Sequence, residues 1–103
     1  MTMSGKERAA LRADANRLQA TVHVGQAGLS NAIIKSLDDA LRTHELVKVQ
    51  LGKPVDIPAT EAARQLAGAT RSAVIQVIGK TATLYRHNPD LERKPGAAPP
   101  WKA

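Results

Sequence analysis

The chain has 103 residues, a net charge of +6 and a pI near 10.2, a length that supports one domain with its own core and not two. It has no cysteine or phenylalanine, one tyrosine and one tryptophan; this excludes disulfides, thiolate metal sites and thiol nucleophiles, and leaves a core of Ala, Val, Leu and Ile. The opening MTMSGKERAALRADA lacks the apolar run of a secretion signal and no segment reaches the ~18 apolar residues of a membrane span, so a soluble, cytoplasmic protein with no membrane partner is expected.

The positive charge is spread: residues 1–19 carry +2, residues 20–87 +3 and residues 88–103 +1. A field distributed in this way favours a polyanion such as nucleic acid, or an anionic membrane surface. Residues 5–19, GKERAALRADANRLQ, put Leu11, Ala15 and Leu18 at i, i+4 and i+7, one stripe of a helix. Arg8 and Arg12 stand one turn apart beside that stripe and form a short basic edge. ATVHV (20–24) reads as a strand. Ser30 is a helix N-cap by residue type, and Ile33, Ile34, Leu37 and Leu41 give the helix a buried face to about Thr43.

ELVKVQL (45–51) alternates, with Val47, Val49 and Leu51 on one side and Leu46, Lys48 and Gln50 on the other, so it reads as a second strand. GKPVDIP (52–58) is a loop, and Asp56 with Pro58 marks the start of a third helix, PATEAARQLAGAT, whose Ala59, Ala62, Ala63 and Leu66 suit close packing; Gly68 falls near its end. SAVIQVIGKTATLYR (72–86) reads as a hairpin turning at Gly79-Lys80, a type II′ signature. That register sets Ile78 opposite Thr81, Gln76 opposite Thr83 and Val74 opposite Tyr85, with Ile75, Val77, Ala82 and Leu84 toward the core. From His87 onward four prolines and no periodicity mark a basic Pro-rich tail. The expected division is a disordered 1–4, a folded domain over 5–87 and a disordered tail over 88–103. The order α-β-α-β-α-β-β predicts an α/β two-layer sandwich with a mixed four-stranded sheet, covered mainly on one side, its last strand antiparallel.

Gly25, Gln26, Ala27 and Gly28 lie where the first strand gives way to the second helix. Glycine lets main-chain N–H groups approach a ligand with no Cβ in the way. The first N–H groups of a helix lack partners, and its dipole adds partial positive charge there. Such a bend suits a phosphate. VGQAGLS fits neither the dinucleotide fingerprint nor the P-loop; it does fit the four-residue loop with which KH-type modules clamp a nucleic-acid backbone. A tight strand-to-helix turn would use the same two glycines.

Three stretches in order, ALRADANRLQATVHVGQAGLS (10–30), ALRTHELVKVQL (40–51) and VIQVIGKTATLYR (74–86), resemble the CRM domain, the chloroplast RNA splicing and ribosome maturation module, which occurs in bacteria as small stand-alone YhbY-like proteins. The resemblance covers most of residues 5–87. It implies an initiation-factor-C-domain-like fold, RNA binding through Gly25–Gly28 and a role in assembling the large ribosomal subunit, with precursor ribosomal RNA and ribosomal particles as partners. Many members carry a basic residue between the glycines, where this chain has Gln26 and Ala27. Phosphate charge would then be met by the backbone and by neighbours.

Lys35, in the second turn of the following helix, is placed to assist. Lys48 on its strand's non-core face, Lys80 at the hairpin tip and Arg86 after Tyr85 could join Arg8 and Arg12 in one basic face, or each could be an ordinary surface cation. His23, His44 and His87 are too scattered for a metal signature, and no cofactor is implied. Ser30, Ser36 and Ser72 lack a nucleophile-elbow setting, and Asp38 and Asp39 point about 100° apart on a helix, so no catalytic constellation and no small-molecule substrate is expected. With Tyr85 the only aromatic residue before the tail, binding should read backbone and shape rather than stack bases. Two other readings stay open: a protein-interaction module using the open sheet face or the tail, and a small enzyme holding a phosphorylated metabolite at the glycine loop.

Overall fold

The computed structural model describes residues 4–25, 28–52 and 57–90. Its order is α1 (Gly5–Ala15), β1 (Val22–His23), α2 (Asn31–His44), β2 (Leu46–Gln50), α3 (Ala59–Thr70), β3 (Ala73–Ile78) and β4 (Thr81–Tyr85). The α/β architecture with a mixed sheet is as the sequence predicts. Gln26 and Ala27 of the glycine loop, the Asp56 helix-start signal, residues 1–3 and tail residues 91–103 lie outside the described residues. Ser4, assigned to a disordered leader, caps α1: its Oγ accepts from the Glu7 amide at 3.1 Å.

The strands are ordered β1-β2-β4-β3; β1 runs parallel to β2, and β4 is antiparallel to both β2 and β3. The final hairpin therefore inserts its last strand into the middle of the sheet. Gly79 turns it at φ +57° while Lys80 stays out of the left-handed region, as a type II′ turn requires.

One face of the sheet carries α2 and α3. Leu37 and Leu41 of α2 and Ala62, Leu66 and Ala67 of α3 form one core with Val22, Val47, Val49, Leu51 and Leu84. Alanine on α3 lets the helix sit close to the strands, which is how a chain with no phenylalanine fills its interior. On the other face a smaller cluster joins Leu11 of α1 to Leu46 and Ile75, with Leu18 and Tyr85 beside it. α1 thus covers half of the second face and leaves the other half open.

The hairpin register differs from expectation at one point. Ile78 pairs with Thr81 and Gln76 with Thr83, but Val74 faces Leu84 and Ala73 faces Tyr85, because the ladder shifts between Val74 and Gln76. The extra residue is Ile75. A bulge changes which face later side chains take: Val74 packs on the α2–α3 core and Ile75 joins the α1 cluster, the reverse of the sequence-based assignment.

Candidate nucleic-acid interface

Because β1 and β2 are parallel and β4 is antiparallel to β2, four features meet at one end of the sheet. These are the exit of β1 at Gly25, the first turn of α2, the exit of β2 and the hairpin tip. The Val24 amide donates to the Gln50 carbonyl at 2.9 Å, and the Leu51 amide to the Lys80 carbonyl at 2.7 Å. Gly25 and Lys80 are therefore two strand spacings apart, roughly 10 Å. α3 also starts at this end, so the positive ends of two helix dipoles point the same way.

At the bend, Gly28 has φ +66°, a conformation in which glycine avoids the strain of a side chain. Its amide closes a turn on the Gly25 carbonyl at 3.0 Å, and the Ser30 amide donates to the Gly28 carbonyl at 2.9 Å. Ser30 is extended (ψ 166°) and its Oγ accepts from the Ile33 amide at 3.3 Å, the expected N-cap. The amides of Leu29, Asn31 and Ala32 meet no acceptor among the described residues. A Cβ built on Gly25 or Gly28 touches nothing within 4 Å. Gly25, outside the left-handed region, is thus demanded neither by backbone strain nor by crowding in the fold.

The basic residues named from the sequence divide into two groups. Lys35, Lys80 and Arg12 are exposed, the first two near the loop end and the third on α1. The other three are bonded inside the fold. Arg8 Nη2 donates to the Val74 carbonyl at 2.7 Å. Lys48 Nζ donates to the carbonyls of Ala15 and Leu18 at 3.0 and 3.1 Å and so closes the end of α1. Arg86 donates to the Asp38 carboxylate and to the carbonyls of Thr70 and Asp38. The six basic candidates thus differ in setting, three exposed and three with donors engaged within the fold.

Two further features have no counterpart in the sequence patterns. Glu45, fully buried with φ +65°, accepts the Asn88 amide at 2.5 Å, while Asn88 Nδ2 donates to the Arg42 carbonyl; this ties residues assigned to the tail onto the domain. Thr83 is 1% exposed and its Oγ1 is buried with no hydrogen-bond partner among the described residues. Among those residues no three His, Asp or Glu side chains gather as a metal site, and no helix is long and apolar enough to cross a membrane.

Comparison with known proteins follows this geometry. Residues 3–86 match the family model described as the CRS1 / YhbY (CRM) domain. The chain is 31% identical over 86 residues to "Probable RNA-binding protein YqeI" of Bacillus subtilis, covering 84% of this chain and 90% of that one. It is 36% identical over 86 residues to "Probable RNA-binding protein MJ0652" of Methanocaldococcus jannaschii, covering 82% of this chain and 63% of the relative. The solution structure of the hypothetical protein SAV1595 from Staphylococcus aureus superposes with a TM-score of 0.75 at 32% identity, covering 88% of this chain and 95% of that one.

Proposed function

The chain belongs to the CRS1/YhbY (CRM) domain family, and from that premise we propose that it is a non-enzymatic RNA-binding protein of the cytoplasm. In this reading it docks on precursor large-subunit ribosomal RNA during assembly of the particle. The phosphate backbone sits at the bend of Gly25–Gly28, where the open amides at the start of α2 and the helix dipole favour an anion. Lys35 and Lys80 add mobile positive charge at the same end, and Arg12 extends the contact along α1. Arg8, Lys48 and Arg86, whose donors are engaged internally, act chiefly by holding the helices that shape the surface.

One observation carries the reading: a glycine that the fold does not need, Gly25, stands in open space near the amides of Asn31 and Ala32, which meet no acceptor among the described residues. Close approach by an outside main chain or phosphate accounts for such a glycine. The sequence names of the curated relatives agree with an RNA partner. Gly25→Asp places a negative charge at the proposed phosphate without backbone strain. Its affinity for a large-subunit ribosomal RNA fragment, measured by fluorescence anisotropy, should fall at least about tenfold, the scale of one charged hydrogen-bonded contact. Gly28→Asp should do the same with a small added cost from its positive φ. Wild-type affinity in Gly25→Asp, with an unchanged circular dichroism spectrum, would remove the loop from the interface. Co-sedimentation with precursor large subunits in sucrose gradients tests the assembly role separately.

A further inference from the structure

The half of the second sheet face that α1 leaves uncovered holds a groove of about 130 Å³ lined by Lys48, Gln76, Ile78, Thr81 and Thr83. Thr83 lines it with little exposure of its own (1%), and its Oγ1 lies just beneath that surface with no hydrogen-bond partner among the described residues. Buried hydroxyls are ordinarily bonded, so an orphan in a groove marks a place where an outside polar atom is missing. On the rim is Ile78, 61% exposed and the one large apolar side chain so exposed among the described residues. Around them the hydrogen-bonding capacity is mixed. Gln76 turns its amide nitrogen to Asn16 Oδ1 at 3.2 Å, which leaves its carbonyl oxygen as an acceptor. Lys48 uses two donors, on the carbonyls of Ala15 at the end of α1 and of Leu18 beyond it, and keeps a third.

No carboxylate lines the groove; exposed Lys80 is next in sequence to its lining residue Thr81, and exposed Arg17 is next to Asn16, the hydrogen-bond partner of Gln76. An ammonium, a hydroxyl, an amide carbonyl and an apolar plate together suit the edge and face of a heterocycle whose flanking groups are anionic. They suit an acidic peptide poorly, since the lining offers one partly engaged cation and no second. The hairpin tip joins this groove to the glycine loop, with Thr81 on the groove and Lys80 at the loop end of the sheet.

We infer that the groove receives one unpaired base of a bound RNA, its edge hydrogen-bonded by Thr83 and Gln76 and its face packed on Ile78. This rests on the RNA-binding reading above and adds a base subsite to a surface that otherwise contacts backbone. A protein in which Tyr85, packed beside the α1 cluster, is the one Tyr, Trp or Phe among the described residues gains in this way a means of telling paired from unpaired RNA.

The test uses two RNA hairpins of identical stem, one with a single bulged nucleotide, titrated by anisotropy at fixed salt. The wild-type chain should prefer the bulged RNA by about tenfold, one good hydrogen bond and its packing. Thr83→Val keeps the side-chain shape, should melt no lower than wild type, and should lose about five- to tenfold on the bulged RNA with no change on the paired one. Ile78→Ser, at an exposed position outside the core, is the second variant and should lose about threefold on the bulged RNA alone. Gly25→Asp should weaken both RNAs equally. A wild-type chain without preference, or a full preference retained in both groove variants, overturns the base subsite and leaves the loop contact standing. Binding to neither RNA overturns both readings. A poly-glutamate peptide that shifts the Thr83 and Gln76 amide resonances when the bulged RNA does not would assign the groove to a protein partner and overturn the proposal.

Discussion

Arg86 joins three oxygens from two helices: the Asp38 carboxylate at 2.6 Å, the Thr70 carbonyl at 2.7 Å and the Asp38 carbonyl at 3.1 Å. Thr70 is the last residue of α3, where a carbonyl has no helical partner, so the guanidinium satisfies an end that would otherwise be stranded. Arg86→Met keeps the apolar stem and removes the donors. The variant should lose about 2 kcal/mol of stability, discounted from a fully buried bridge because Asp38 is about half exposed, seen as a lower urea midpoint at unchanged slope. Its RNA affinity, measured well below the melting temperature, should stay near wild type. Thr83→Val moves stability the other way: removal of an unpartnered buried hydroxyl should raise it by about 1 kcal/mol. A fall in stability would mean that the hydroxyl is bonded in solution. The role of Arg86, like that of Lys48, could not be read in the chain, since Lys48 on a polar strand face and Arg86 at a strand end look like surface cations until residues 16 to 48 positions away supply their acceptors.

Local periodicity was enough where an element answers mainly to its own sequence. α2 starts at the Ser30 cap and ends at His44, β2 keeps its alternation, and the hairpin turns on Gly79 and Lys80 as their residue types predict. It failed where a partner decides. Leu18 continues the α1 stripe, yet the helix stops at Ala15; the chain turns through Asn16 and Arg17, and Leu18 still reaches the apolar cluster from outside the helix. β1 shortens to Val22 and His23, although the Thr21 and Val24 amides also bond to β2. The bulge at Ile75 puts that side chain in the α1 cluster on the far face, a placement that no two-residue alternation encodes. α1 is accordingly the element with least support: its buried contacts are Leu11 and Ala15, supplemented by the bonds of Arg8 and Lys48. Native-state hydrogen exchange should show α1 opening as a separate unit, with amides at least about 30-fold less protected than those of central β4, a gap of ~2 kcal/mol. Equal protection in the two would show that α1 opens only with the whole domain.

At the scale of the molecule the question is whether RNA answers to the net charge of +6 or to where the charge sits. Strand direction places the starts of α2 and α3 at the loop end and their last turns at the other, so the helix dipoles reinforce Lys35 and Lys80 and oppose any anion near Arg42 and Arg71. Arg42 is also paired with Asp39. Two double variants remove the same charge from opposite ends. Lys35→Ala with Lys80→Ala strips the loop end, while Arg42→Gln with Arg71→Asn strips the other and keeps at position 71 a residue tolerant of its φ of +57°. If each loop-end lysine neutralises one phosphate, the first pair should flatten the slope of log K against log salt by about 1.4 to 1.8. The second pair should leave the slope within error of wild type, with both proteins as stable as the parent because all four positions are exposed. Equal flattening by the two pairs would mean that RNA senses only the overall field, and the loop end would lose its claim to be the footprint.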